Sequence, residues 1–184
     1  MHQVKFIPPR AGRCVFFDRD GIVNVSPGTD RYILCWEEFH LLPEFVEVLR
    51  VVRAHGYQAV IVTNQRAVAR GLVSAAEVEA MHRRLQNLLW KSYRLDLLDV
   101  HYCPHDVGEC ECRKPAPGML KAMALKHGLD LAASWMVGDA ETDIEAGQRA
   151  GCRTIRVNGD EALSKADWRV AAMKDLPALL EKVL

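Results

Sequence analysis

No apolar run in the 184 residues approaches the roughly 18 that mark a spanning helix, so the sequence offers no helical membrane anchor. The opening stretch has two early prolines and no sustained apolar segment of an export signal, which makes the cytoplasm the expected compartment. Charge excess is missing too. Lys plus Arg and Asp plus Glu each number 24, with no long block of one sign, so the footprint of a nucleic-acid or membrane-surface binder is absent and a small partner is expected. There is no internal repeat, no low-complexity stretch and no connection long enough to hold a second domain. One domain over residues 1–184 is expected, its site open and without a large cap.

The six cysteines, in a chain without an export signal, read as thiols or metal ligands rather than disulfides. Cys14, Cys35 and Cys152 stand alone, whereas Cys103, Cys110 and Cys112 cluster with His105. Short apolar runs alternate with segments of helical period, the pattern of a parallel sheet covered on both faces. The expected fold is α/β, a Rossmann-like three-layer sandwich with a mostly parallel central sheet. Strands are expected at Cys14–Phe17, Ala59–Val62, Leu97–Tyr102, Ser134–Val137 and Arg153–Val157, with a weak sixth near Trp168–Ala172. Helices are expected at Pro43–His55, Ser74–Tyr93 with a Ser74/Glu77 capping box, Gly118–His127, Asp143–Ala150 and Leu176–Leu184.

Ligands of open parallel sheets bind beyond the carboxyl ends of the strands. Three strand ends there carry polar residues: Asp18-Arg19-Asp20-Gly21, Thr63-Asn64-Gln65 and Gly138-Asp139. Any one Asp in such a place can simply cap a turn; together they suggest chemistry. Asp18 is placed to attack phosphorus, and Asp20, two residues on, to protonate the leaving oxygen and then deprotonate water. That role asks Asp20 to hold a proton near neutral pH, a shift that a like-charged neighbour and partial burial favour. A phosphoryl group among carboxylates requires a hard divalent ion, most naturally Mg2+ on Asp18 and Asp139. Thr63 offers a hydroxyl, its neighbours Asn64 and Gln65 offer backbone amides, and Lys114 offers a fixed positive charge. Asp143 is placed to orient either Lys114 or a metal-bound water.

Cys103, His105, Cys110 and Cys112 supply three thiols and one imidazole within ten positions, enough for a closed, structural zinc site. The alternatives are a strained Cys-x-Cys disulfide or inert thiols. Arg113 and Lys114 follow the last ligand directly, so a rigid clasp at residues 103–112 would hold both cations at the crevice. The histidines other than His105 have no mutual spacing that suggests a site, and Met81, Leu85, Leu88 and Leu89 form a core-facing helical stripe.

Asp18-Arg19-Asp20-Gly21, Thr63, Lys114 in Arg-Lys-Pro, and Gly138-Asp139 with Asp143 resemble the haloacid dehalogenase superfamily. That resemblance implies an aspartyl-phosphate mechanism and a magnesium ion to which Asp20 contributes its backbone carbonyl. The Cys-Pro-His and Cys-x-Cys-Arg-Lys-Pro segments, with Thr63 to Gly71, are similar to the heptose bisphosphate phosphatases and their histidinol-phosphatase relatives. The likeness implies a monomer in heptose supply for lipopolysaccharide. It also implies substrate phosphate at Asp18 to Asp20 (Arg19 included), Thr63, Asn64 and Lys114, with Arg113 and the segment after Asn24 on the sugar. Ile22, Arg66-Ala67 and Ala140 depart from that pattern, the loop from Ser26 to Tyr32 is longer and the zinc loop shorter. Arg66 is a further candidate for an anionic group on the substrate, or a plain surface arginine. Histidinol phosphate or another small ester is the alternative substrate, and a domain that binds a phospho-ligand without hydrolysing it is the non-enzyme alternative.

Overall fold

The computed structural model describes residues 12–28, 31–158 and 164–184. Residues 1–11, on which the reading of a missing export signal mostly rests, and part of the loop from Ser26 to Tyr32 lie outside the described residues. Six strands form one sheet: β1 Cys14–Phe17, β2 Gln58–Asn64, β3 Asp99–Cys103, β4 Trp135–Gly138, β5 Arg153–Val157 and β6 Trp168–Val170. Their order is β3-β2-β1-β4-β5-β6 and every pairing is parallel. β1 is the switch point: the chain first adds strands on one side of it, then on the other, which leaves a crevice above its carboxyl end.

Period-2 alternation sorts the apolar residues into two cores. Val15, Phe17, Ile61, Trp135 and Val137 face α1 (Pro43–Ala54), α3 (Ala75–Leu88) and α6 (Leu176–Val183). Cys14, Phe16, Val60, Val62 and Met136 face α4 (Gly118–His127) and α5 (Glu141–Ala150). The three expected layers are therefore present, and among the described residues no helix is long and apolar enough to cross a membrane.

Element ends follow local chemistry. Ser74 accepts from the Glu77 amide and Glu77 accepts from the Ser74 amide, the reciprocal cap that starts α3. The α-helical part stops at Leu88 rather than Tyr93, and Leu89–Tyr93 continues as a π-helical turn that Arg94 closes with a left-handed φ of 56°. α5 starts two residues early, at Glu141, because the Asp143 carboxylate reaches back to the Ala140 amide. The four-residue α2 (Arg66–Ala69) went unanticipated, being too short to show a period.

Candidate active site

Phe17 pairs with Ile61 on β2 and with Val137 on β4, so three strand ends come level. Asp18 stays stitched to β4 through its amide, which donates to the Val137 carbonyl at 2.9 Å. Lys114 arrives from the loop before α4. Its Nζ lies 2.6 Å from Asp18 Oδ1, 2.7 Å from Asp143 Oδ1 and 2.8 Å from the Val62 carbonyl. Three acceptors saturate the ammonium. The side chains of Lys114 and Asp143 are each 2% exposed, against 14% for Asp18.

The Lys114 backbone is clamped as well. Its amide donates to Asn64 Oδ1 at 3.0 Å and its carbonyl accepts from Asn64 Nδ2 at 3.1 Å. Asn64, expected on the substrate, spends its side-chain amide on placing Lys114 and also lines the cavity beside it. Asp143 can fold over the end of β4 because residue 138 is glycine: a Cβ there would sit 2.3 Å from the Asp143 side chain. Its second oxygen accepts from the Ala140 amide at 3.0 Å. Of the two roles open to Asp143, orienting Lys114 is the one its bonds describe.

Three carboxylates and one lysine in a dry place make an uneasy balance. Burial, opposed by Lys114 and aided by Asp143 and Asp20, pushes Asp18 up to about 7. Asp139 is pushed up to about 6 by burial first and by Asp143 next, against the pull of Lys114 and Arg156. Lys114 is held above the ordinary lysine value, since Asp143 and Asp18 outweigh the cost of its burial. Oxygens of Asp18, Asp139 and Asp143 all lie within 4.8 Å of one another. An all-oxygen set whose anions are crowded and undercompensated fits a hard divalent cation. Gly21, with φ of +86°, serves the same spot, for a Cβ there would meet Asp139 Oδ2 at 2.1 Å.

Asp20 faces differently from Asp18. Arg19 Nη2 donates to both its oxygens at 3.0 and 3.1 Å, Arg19 Nε donates at 3.2 Å, and Asn24 Nδ2 donates at 2.9 Å. Arg19, expected among the substrate contacts, is 0% exposed, its guanidinium taken up by Asp20 and His82. Nothing in the residue pattern signals this, since an arginine between two aspartates is equally free to face solvent.

Thr63 is buried, and its hydroxyl accepts from Gln65 Nε2 at 2.9 Å. Gln65 is buried too, and its amide donates to the Cys103 carbonyl at 2.8 Å, so the backbone donor expected from it is already taken. Arg66 pairs with Asp106 at 2.5 Å, both side chains about 30% exposed, which ties α2 to the 103–112 loop. Arg113 donates to the His105 carbonyl at 3.3 Å. It also lines a cavity of about 320 Å³ beside Lys114, with Asn64, Val107, Pro115 and Thr142. Thr142 and Val107 carried no motif to single them out.

The four expected soft ligands converge. Sγ–Sγ separations among Cys103, Cys110 and Cys112 run 3.1 to 3.4 Å, and His105 Nδ1 lies 3.4 Å from Cys112 and 3.6 Å from Cys103. A tetrahedron with Zn–S of about 2.3 Å has edges of about 3.8 Å, so a zinc ion fits once the donors move out by a few tenths of an ångström. Cys110 falls to about 7: burial raises it, but hydrogen bonds from Cys112, the Arg113 amide and Cys103 outweigh that. Burial raises Cys103 and Cys112. All six cysteines are free thiols, so no Cys-x-Cys disulfide is formed.

Known proteins are similar to this chain. A family described as HAD-hydrolase-like matches residues 111–175. A Rhodopseudomonas palustris protein named D-glycero-beta-D-manno-heptose-1,7-bisphosphate 7-phosphatase is 37% identical over 79% of this chain and 83% of its own length. A Salmonella typhi protein of the same name is 34% identical over 91% and 95%. The crystal structure of D,D-heptose 1,7-bisphosphate phosphatase from B. bronchiseptica, complexed with magnesium and phosphate, has 26% identity and a TM-score of 0.82. That match covers 94% of this chain and 99% of the other. A buried lysine bridging two carboxylates at the end of β1, in a sheet of this order and with relatives of this kinship, has one reading: this chain belongs to the HAD-like phosphatases.

Proposed function

We propose that the protein is a magnesium-dependent phosphomonoesterase that removes the 7-phosphate of D-glycero-D-manno-heptose 1,7-bisphosphate through an aspartyl-phosphate on Asp18. The observation that carries this reading is Lys114 Nζ held between Asp18 and Asp143 beside Asp139. A domain that only binds a phospho-ligand has no use for a nucleophile, its counter-cation and an adjacent acid in one crevice. The relatives' names supply the heptose.

Asp18 attacks phosphorus, the bond from phosphorus to the ester oxygen breaks, and Asp20 gives that oxygen its proton. Water then attacks phosphorus and yields a proton to Asp20; the bond from phosphorus to Asp18 breaks, freeing inorganic phosphate and restoring both carboxyl groups. Lys114 stabilises the anionic transition state. Its three fixed partners leave it nothing to reorganise. The Thr63 hydroxyl oxygen accepts from Gln65, so its own proton is available to a phosphate oxygen. Asp18 and Asp139, with the Asp20 carbonyl, would hold Mg2+, with Asp143, which is bonded to Lys114 and the Ala140 amide, beside them. When bound, that ion offsets the phosphoryl charge among the carboxylates. Cys103, His105, Cys110 and Cys112 would hold structural Zn2+ and so fix Arg113 and Lys114. Arg113, at the cavity beside Lys114, is placed to meet the far end of the sugar.

A panel of phosphate esters with magnesium tests the assignment, ranked by kcat/KM and including the heptose bisphosphate, histidinol phosphate and simple hexose phosphates. The heptose bisphosphate is expected to lead by at least about tenfold, roughly 1.4 kcal/mol of transition-state binding. Histidinol phosphate in first place overturns the substrate, and inactivity on every ester overturns the enzyme.

A further inference from the structure

His82 lies on α3, 5% exposed, against Arg19. Arg19 Nη1 approaches His82 Nε2 at 3.5 Å, a contact buried on both sides. A guanidinium has no lone pair to offer, so Arg19 is the donor and Nε2 the acceptor. That fixes the ring as the neutral tautomer with its proton on Nδ1. Burial, with the Arg19 charge second, lowers His82 to about 3, so the ring stays an acceptor throughout the physiological range. Around it stand Glu79 and Arg83 on α3 and Asp99 and Tyr102 on β3, lining a cleft of about 150 Å³. The Tyr102 ring meets the imidazole edge to face at 5.7 Å.

Three of the other four N–H groups of Arg19 are committed. Nε and Nη2 hold the Asp20 carboxylate, the Phe39 ring lies 5.9 Å from its guanidinium carbon, and the residue is wholly enclosed. Arg19 is thus a buried cation shared by two acceptors, Asp20 and His82.

We propose that His82 is a positioning residue for the reaction: it fixes the plane of the Arg19 guanidinium, and through it the direction in which the Asp20 carboxyl group presents its oxygens. Remove the acceptor and Nη1 is left buried without a partner, so the guanidinium turns to find one and takes the Asp20 carboxylate with it. Lys114 and Asp139 share no bond with this chain of contacts, and Asp18 meets it only through the backbone and the charge of Asp20. The loss should therefore fall chiefly on proton transfer. The inference rests on Asp20 as the acid–base group of the proposed reaction.

The test compares two substrates in the zinc-loaded enzyme with magnesium. The heptose bisphosphate expels an alkoxide that needs a proton; p-nitrophenyl phosphate expels a phenolate that does not. General acid–base groups contribute about 10²–10⁴-fold, and for His82→Leu, which misplaces that group without removing it, we expect about a tenfold fall in kcat/KM on the heptose. On the aryl ester kcat/KM should change less than about twofold, with a burst of nitrophenol as the phospho-enzyme accumulates, because its hydrolysis also needs Asp20. His82→Gln, whose amide oxygen can accept from Nη1, should restore at least half of the parent's heptose activity. An equal loss on both substrates, no loss on either, or no rescue by Gln overturns the proposal. If His82→Leu does not fold, Arg19→Lys, which keeps the charge and breaks the fork, must show the same split between substrates, and an even loss overturns it. Asp20→Asn is measured alongside. A split there with none at position 82 removes His82 and spares Asp20, whereas no split in Asp20→Asn removes both.

Discussion

The carboxylates at the strand ends and the thiols of the 103–112 loop both gather titratable groups within a few ångströms, but they are kept together by different means. The first cluster contains its own counter-charge: Lys114 sits between Asp18 and Asp143, and each member hangs from, or is clamped to, a strand end. The second holds three thiols and an imidazole, three of the four on backbone without regular structure. No cationic side chain is bonded to its sulfurs among the described residues. The lesson is that the first cluster is held by its own lysine and by strand ends, while the second hangs from one strand end and a loop tied to α2 by the Arg66–Asp106 pair, so a metal in the first would serve chemistry and a metal in the second would serve order.

The largest expected effect sharpens the first half of that contrast. Asp18→Asn keeps the carbonyl and the fold but loses the nucleophile, so kcat should fall by more than about 10³-fold with a circular dichroism spectrum like the parent's. Lys114→Met comes next. It leaves two carboxylates without their cation, and should lower kcat by about 10²–10³-fold and stability by about 3 kcal/mol, read by steady-state kinetics and denaturant melts.

Cys112→Ser probes the other half. Zinc, measured as metal per chain, should drop from about one equivalent to below half, and kcat should fall about tenfold through loss of order at Arg113 and Lys114. A variant that keeps full activity while losing its zinc would break the comparison, showing that the loop stands without its metal.

The smallest effect is a pH dependence. Asp18 and Asp139 have folded values of about 7 and about 6, above those of the free side chain. Their protonated forms therefore favour the metal-free fold at low pH, and that contribution is lost as pH rises from about 4 through about 7. Magnesium, which competes with those protons, should raise Tm by roughly 5 °C at pH 8 at a hundredfold excess over Kd. At pH 5 the shift should be less than half as large, measured by thermal melts with and without the ion. Equal shifts at the two pH values would mean that the carboxylates are not the ligands.

How much of this was legible in the sequence follows the same division. Asp18 and Asp139 could be found because strand ends announce themselves: a buried apolar run stops and a carboxylate begins, whereas Lys114 was marked by its place in Arg-Lys-Pro directly after the last clustered thiol. Cys103, His105, Cys110 and Cys112 showed through their spacing as a cluster of soft ligands. What stayed hidden was the direction of side chains that only tertiary contacts decide. Asn64 and Gln65, expected on the substrate, turn to the Lys114 backbone and to Thr63. Arg19 turns inward to Asp20. His82 had no partner in the sequence at all; only the packing of α3 against the end of β1 gives it one. The early start of α5 shares this origin, for Asp143 looks like the first residue of that helix until its carboxylate is seen capping the turn from the third position.

The transfer of phosphate to position 18 is the claim from which the rest hangs, and it can be caught directly. Asp20→Asn enzyme mixed with p-nitrophenyl phosphate and magnesium, quenched in acid and digested, should yield one phosphorylated peptide, with the added mass on Asp18. Phosphate found on any other residue, or no adduct while nitrophenol is still released in a burst, would contradict it.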